Sequence, residues 1–478
     1  MHEVFLAAST YASLEMLHFG LLLALGMAAP GASPAQRTAP NALVSNDSTL
    51  RIELDSLVDA SLPRGAQFAA AAIRARDGAL VWGRNAHTRQ MPASTQKVFT
   101  TEVALRVLGP KFRFSTQLYG RGAQNGADWI GDLILVGSGD PTLGLEWGAT
   151  LNPLVNALQK RGIRKVSGSL IALDTLCGAA PWGIWPPDWT FGNARDLYGA
   201  PIAGLNWNLN RDGWRPSQEP RLLVLKNLRQ ALSKKGIAIG GPDSVLTRDD
   251  SLLALPRTWT SMGQTQSPML ESILRPFLWE SINQLGEAMV LRMGAGFAKP
   301  GEDLREAGMR RVRSNLQASG ANIWEMEMRD GSGLSRYDAI PPLELARLLQ
   351  RSSLGTGSTR TVDFLAAGGQ GTLRKRFRNL PDPAWILAKT GTLDRVSNLC
   401  GLVRSPLRDT LSFAIFCQNY NTGAASMRRL QDKIVSLLAG VPIRKIVEDD
   451  DTLPAVQTPV WPTIEILPDF PAWRNYHF

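Results

Sequence analysis

The chain has 478 residues, 44% apolar and 20% charged, with 52 Lys and Arg against 42 Asp and Glu for a formal charge of +10. These proportions describe a soluble globular chain with room for roughly two to four domains and a substantial core. Three cysteines, Cys177, Cys400 and Cys417, are too few for a disulfide framework, and with His87 as the one histidine in the body of the chain a zinc peptidase is excluded.

In chain order, the apolar run Phe19 to Ala29 and the Pro-rich stretch Pro30 to Pro40 read as a signal peptide and leader over residues 1–40, too short to span a membrane. No Lys or Arg precedes the run, so either translation starts at Met16 or the export signal is atypical. His2 and His18 fall in this leader, and His477 is next to the C-terminus. His87, in Asn85-Ala86-His87-Thr88, reads as a surface loop residue. Pro92 and Ala93 then lead into Ser94-Thr95-Gln96-Lys97 and on to Leu105, where the apolar spacing predicts a helix with a buried face. Residues three apart share a helix face, so Ser94 sits at the helix N-terminus with Lys97 one turn in, within reach of its hydroxyl. A serine nucleophile needs a base, and lysine serves only where burial or a neighbouring cation disfavours its ammonium form.

Residues 154–161 follow a helical pattern, and Ser167 to Leu173 and Arg221 to Leu225 look strand-like. Between them a loop rich in Trp182, Trp185, Pro186, Pro187 and Trp189 forms either a peptide-binding surface or a rigid cover. Trp279 to Val290 has a polar start running into a helical pattern; there Ser281 is a proton relay or a plain helix cap, and the Asn283 amide is placed to hold a substrate amide and Lys97. The clusters Arg310-Arg311-Val312-Arg313 and Arg374-Lys375-Arg376-Phe377-Arg378 carry no nucleic-acid fold signature. They read as solvated faces or as attraction to an anionic cell wall, so no nucleic-acid partner is expected.

Residues 384–403 read as strand, turn and strand, with a third strand from Leu411 to Cys417. On an edge strand, Lys389 acts as a fixed cation for a carboxylate with the Thr390 and Thr392 hydroxyls beside it, and Gly391 lets a peptide approach the backbone. A hairpin about Pro406 and Leu407 puts Cys400 nearer Phe413 than Cys417, so no bridge is expected and the three thiols read as buried. From Val447 the acidic run Glu448 to Asp451 and repeated prolines read as an extended or disordered tail. Those prolines rule out an anchoring helix and leave at most peripheral membrane contact.

The order Ser94-Thr95-Gln96-Lys97, Ser281-Ile282-Asn283, Lys389-Thr390-Gly391 matches the S-x-x-K, S-x-N, K-T-G signature of penicillin-recognising serine enzymes. The chain resembles a D-alanyl-D-alanine carboxypeptidase/endopeptidase of the penicillin-binding protein 4 type, in the class C low-molecular-mass group, from about Leu54 to about Ala439. Gly131 to Leu143, Tyr198-Gly199-Ala200-Pro201 with Leu205-Asn206, Asp330 to Arg336, and Gly371-Thr372-Leu373 carry the narrower resemblance. It implies an α/β (α+β) fold, with a penicillin-binding/β-lactamase-like catalytic domain of antiparallel sheet and flanking helices plus inserted β-rich domains. The long interval between Ser94 and Ser281 accommodates the insertion. The expected layout is leader 1–40, catalytic part 41–117, insertion 118–262, second catalytic part 263–446 and tail 447–478.

By the same resemblance, Ser94 attacks the carbonyl between terminal D-alanines or at a cross-link of peptidoglycan stem peptides, and Lys97 takes its proton. Ser281 relays a proton to the leaving amine, and Asn283 positions substrate and Lys97. Lys389, Thr390 and Thr392 bind the carboxylate, with Gly391 giving room, and the Ser94 and Thr392 N–H groups form the oxyanion hole. Water releases the acyl group, no metal or organic cofactor is needed, and β-lactams are expected as covalent inhibitors. One position departs from the family: Asp338 stands where Asn is usual, with a possible change of substrate preference. The alternatives are a β-lactamase or esterase of the same superfamily, or a non-catalytic peptidoglycan-binding scaffold.

Overall fold

Along the strands Val396–Ser405 and Asp409–Gln418 nearly every side chain is buried. Successive residues of a strand face opposite sides. Leu399, Val403, Phe413, Ile415 and Cys417 therefore enter one core, while Cys400, Leu402, Ala414 and Phe416 enter another. A strand that is apolar at both parities specifies a sheet covered on both faces.

These two strands lie in the middle of a six-stranded sheet, ordered Ala366–Ala367, Trp385–Leu393, Val396–Ser405, Asp409–Gln418, Gln67–Arg74, Leu80–Arg84. All its pairings are antiparallel. The helices Asp47–Ser61 and Ala424–Leu438 pack on one face through Leu50, Leu54, Met427 and Ile434. On the other face pack Lys97–Val107, Leu270–Trp279, Asn283–Ala295, Leu304–Ala318 and Pro342–Leu354. This computed structural model describes residues 47–178, 184–247, 259–357, 359–378, 380, 385–405 and 409–441. The leader, the tail, Trp182 and the turn at Pro406 and Leu407 lie outside them.

A second, seven-stranded sheet is built from residues between the Lys97 helix and the helix Leu270–Trp279, with main order Asp243–Thr247, Leu170–Asp174, Asp128–Gly137, Ser115–Asn125, Thr260–Gln266. Its core includes Leu118, Leu133, Leu135 and Leu170 and is closed by the helices Asn152–Lys160 and Pro220–Lys234. The expected strand at 221–225 is thus corrected to helix. A short apolar run has no period of its own; here Pro220 occupies the first turn, the Glu219 side chain accepts the Arg221 N–H, and Val224, Leu228 and Leu232 recur every fourth residue into the core.

The three cysteines are buried, free thiols. Strand register pairs Cys400 with Ala414, one residue from the expected Phe413, and Cys417 with Ser397. The hairpin closes with Ser405 opposite Asp409, which shifts the pairing by that one residue. The basic clusters lie at the surface, with Arg374 and Lys375 exposed, and several members are tied down: Arg310 pairs with Glu302 and lies over the Phe297 ring, while Arg311 and Arg313 donate to the carbonyls of Met293 and Met328. Arg376 pairs with Asp432. His87 is exposed beside Glu325.

Candidate active site

The backbone before Ser94 is fixed from the sheet. Asn398 Nδ2 donates to the carbonyls of Met91 and Pro92, and Gln418 Nε2 donates to Met91 O. Ala93 is held at φ +47°, an uncommon value for a residue with a side chain, and opens a 3-10 turn, Ala93–Gln96, that runs directly into the Lys97 helix. Gly333 has φ +78°, and a Cβ there would lie 1.9 Å from Ala93 O, so the loop carrying Gly333 abuts the nucleophile turn at a distance only glycine permits.

Lys97 is fully buried. Its Nζ lies 2.6 Å from Asn283 Oδ1, 2.7 Å from Ser332 O and 2.9 Å from Ser94 Oγ. Two of these partners are carbonyl oxygens that only accept. A neutral amine has two N–H donors and one lone pair, so with both donors engaged the lone pair is left for the Ser94 hydroxyl proton. Burial, then the nearby charge of Lys389, holds Lys97 well below the usual lysine range, opposed by the carboxyls of Asp330, Glu287 and Asp338. That combination is what a lysine needs to serve as a base.

Ser281 precedes the helix Asn283–Ala295 at φ +61°. The cap residue of that helix is Ile282, so the plain-cap reading of Ser281 is set aside. Its Oγ lies 2.9 Å from Lys389 Nζ, which also donates to Thr390 O at 2.8 Å. Lys389 is buried on the strand Trp385–Leu393, and burial pulls it down to about 7, with Cys400 and Glu280 acting the other way. The outer neighbour of this strand pairs only with Leu387 and Ala388, so the ladder stops just before Lys389. A Cβ on Gly391 would come within 2.7 Å of Pro92 O, so this glycine admits the Ser94 turn itself.

A cleft of about 500 Å³ is lined by Ser94, Ser281, Asn283 and Thr392, with Asn193, Tyr198, Leu334 and Arg336 around them. The structure thus brings Ser94, Lys97, Ser281, Asn283 and Lys389 into one connected site, with Thr390, Gly391 and Thr392 along its strand. Asp338 is buried and lines no part of the cleft.

Several supporting residues had no role assigned from the sequence, although Asp330 and Trp189 stand in stretches it singled out. Asp330 accepts the N–H groups of Ser332, Gly333, Leu334 and Ser335 and the Trp189 Nε1–H, which shapes the loop whose Ser332 carbonyl holds Lys97. Gln96 Nε2 donates to Asp330 O, and the Thr100 hydroxyl donates to Gly331 O. The aromatic loop touches the site through Trp189, and the segment after it supplies wall residues. Trp189 reaches Asp330, the Tyr198 and Leu197 carbonyls accept from Asn283 and Gln284, and Asn193 and Tyr198 face the cleft. Asn398 and Gln418 were visible in the sequence only as polar residues interrupting apolar strands.

Acyl transfer to a serine activated by a lysine, beside the edge of an antiparallel sheet flanked by helices, is the chemistry of the penicillin-recognising serine hydrolases, and the chain falls in that class. Within the class it belongs to the D-Ala-D-Ala carboxypeptidase 3 (S13) family, which matches over residues 50–213 and 208–441. It is 26% identical over 495 aligned positions to the D-alanyl-D-alanine carboxypeptidase of Actinomadura sp., covering 87% of this chain and 88% of the relative. The solved structure of penicillin binding protein 4 (dacB) from Haemophilus influenzae matches with a TM-score of 0.71 at 21% identity, covering 81% of this chain and 99% of that one. The same Haemophilus protein complexed with a β-lactam matches with a TM-score of 0.64 at 22% identity, with the same coverage. These two structures share the fold.

Proposed function

We propose that the chain is an exported serine D-Ala-D-Ala carboxypeptidase and/or DD-endopeptidase of peptidoglycan that works through an acyl-enzyme on Ser94. The observation that carries this reading is the neutral-lysine geometry: Lys97 Nζ has two carbonyl acceptors and stands 2.9 Å from Ser94 Oγ. In the forward step the Ser94 oxygen bonds to the scissile carbonyl carbon as its proton passes to Lys97. The resulting oxyanion is received by the Ser94 and Thr392 N–H groups. Collapse breaks the C–N bond, and the leaving D-alanine amine takes a proton delivered through Ser281. Lys389, with Thr390 and Thr392, binds the substrate carboxylate, and Asn283 orients both Lys97 and the peptide. Water then attacks the ester, Lys97 again accepting the proton, and frees the shortened stem peptide.

Residues 118–262 act as an inserted domain whose loop closes one side of the cleft, a reading supported by the separate second sheet and the Trp189 contact. Residues 1–40 direct export to the periplasm or cell wall, where the substrate lies. No helix among the described residues is long and apolar enough to cross a membrane.

The test is intact-protein mass spectrometry of the exported form with benzylpenicillin, followed over time beside Ser94→Ala. A persistent penicilloyl adduct on the wild type and none on the variant supports a DD-peptidase. Rapid drug hydrolysis without an adduct moves the assignment to a β-lactamase, and no reaction in a folded sample moves it to a non-catalytic scaffold.

A further inference from the structure

Behind Lys97 lie three buried carboxyl groups, Glu287, Asp330 and Asp338, which the proposed chemistry leaves without a role. Asp330 is surrounded by donors: four backbone N–H groups and the Trp189 indole. Asp338 differs. Its Oδ1 accepts the Arg329 N–H at 2.7 Å, but its Oδ2 is buried with no donor. The Gln96 Oε1 is a second buried acceptor with no donor. Gln96 cannot turn its amide round, because Nε2 is tied to Asp330 O at 2.6 Å and reaches Asp330 Oδ1 at 3.2 Å. Gln96 and Asp330 are the side chains that act most directly on the Asp338 carboxyl.

Orphaned buried acceptors side by side are costly, and one proton removes the conflict: placed on Asp338 Oδ2, it makes that atom a donor to a neighbouring acceptor. We propose that Asp338 is a positioning residue carried as the neutral acid, whose Oδ2 proton is donated to the unpartnered Gln96 Oε1 and so fixes the side chain that ties down the Asp330 loop, whose Ser332 carbonyl holds Lys97. Burial, followed by the Asp330 charge, pushes the Asp338 carboxyl well above the usual range, against the Arg329 N–H and Gln96. The other charged group that senses it is Lys97 on the nucleophile helix, while Glu287 on the Asn283–Ala295 helix senses Asp330 and is pushed up to about 8 by burial and by that charge. Arg305 on the Leu304–Ala318 helix lies beyond Glu287. The Arg329 side chain pairs outward with Glu327. If Asp338 ionises, two carboxylates face each other and Lys97 is drawn toward ammonium, the form that takes no proton from Ser94.

This rests on Ser94 and Lys97 acting as proposed above, and its test has a readout independent of them. The Ser94 acylation rate by a fluorescent penicillin is followed from about pH 6 to about pH 10 for wild type, Asp338→Asn and Asp338→Ala. Asn keeps a donor at the Oδ2 position and has no proton to lose. It should acylate within about threefold of wild type at the acid end, the spread of a near-neutral change, and hold its rate to higher pH. Ala should be slower throughout by about tenfold, as a buried acceptor left unpartnered predicts. The Lys389 titration is common to all three and cancels in the ratios. An Asp338→Ala rate equal to wild type, or an Asp338→Asn rate as low as that of Asp338→Ala, overturns the proposal.

Infrared spectra at neutral pH decide the protonation state whether or not the protein acylates penicillin. Loss of a protonated-carboxyl stretch in Asp338→Asn supports the proposal, and its retention in full overturns it. If neither variant folds, Glu287→Gln combined with Asp174→Asn removes two other buried carboxyls pushed up by burial, and spectra above about pH 8 leave Asp140, pushed up to about 6, ionised. A carboxylic-acid band that survives supports the proposal, and disappearance of every such band overturns it.

Discussion

Replacing Gly333 with Ala tests whether the loop around Asp330 fixes the nucleophile. The substitution forces a side chain into φ +78° and places Cβ 1.9 Å from Ala93 O. The left-handed conformation costs about 1–2 kcal/mol, and a clash with backbone that can move only by shifting a neighbour adds about 1–3 kcal/mol. Gly320 supplies the matched control. It has φ +84° and nothing within 4 Å of the place a Cβ would take, so Gly320→Ala meets the conformational cost alone. Urea unfolding should therefore show Gly333→Ala less stable than Gly320→Ala by about 1–3 kcal/mol. Ala93 precedes Ser94, so the relaxation also displaces the reacting oxygen, and a shift of that kind should lower penicillin acylation by about 100-fold. Gly320→Ala should acylate as wild type. If the two variants are equally stable, or if Gly333→Ala acylates at the wild-type rate, the loop does not set the nucleophile and the reasoning fails.

Lys97→Met removes the base and leaves Asn283 Oδ1 and Ser332 O without their donor. Acylation measured by mass spectrometry should drop by about 10²- to 10⁴-fold, while circular dichroism stays native. Lys389 is cationic below its value of about 7 and neutral above it, so carboxylate recognition is present on the acid side and weakens as pH rises. Steady-state or saturation kinetics should place this loss in apparent affinity, by about tenfold per pH unit at most; an affinity flat from neutral to alkaline pH contradicts the assignment of Lys389 to the carboxylate. Trp189→Phe keeps the ring but loses the donor to the Asp330 carboxylate, and should cost about 1.5 kcal/mol in denaturant melts, the low end for a partly exposed bond to a charge. An unchanged melt shows that the aromatic loop does not support Asp330.

Ser94 and Lys97 were legible because the relation between them is local: three residues on one helical turn. Ser281 with Asn283 and Lys389 with Gly391 were legible as short strings whose order along the chain, rather than any one string, points to the chemistry. What makes them a site was not legible. Gln96 meets Asp330 across 234 residues and Asn398 meets Met91 across 307, and no periodicity in a single sequence encodes such pairings. Arg221 to Leu225 misled for a different reason, since five residues are too few to separate a helix from a strand without weighing Glu219 and Pro220 at the start. The Cys400 register missed by one residue because it depends on how the hairpin closes.

The long separations inside the site bear on how the enzyme comes into being. In the proposed chemistry Lys97 acts as a base only after Asn283, Ser332 and the sheet residues behind Met91 have arrived, contacts that span 186, 235 and 307 residues. Loops of that length close late in folding. A half-folded chain, even with its nucleophile helix formed, therefore carries a serine next to an ordinary ammonium group and is chemically inert. Under the proposed chemistry, penicillin labelling marks only molecules whose distant contacts are complete, so in variants that keep the site residues it reports on folding as well as on chemistry.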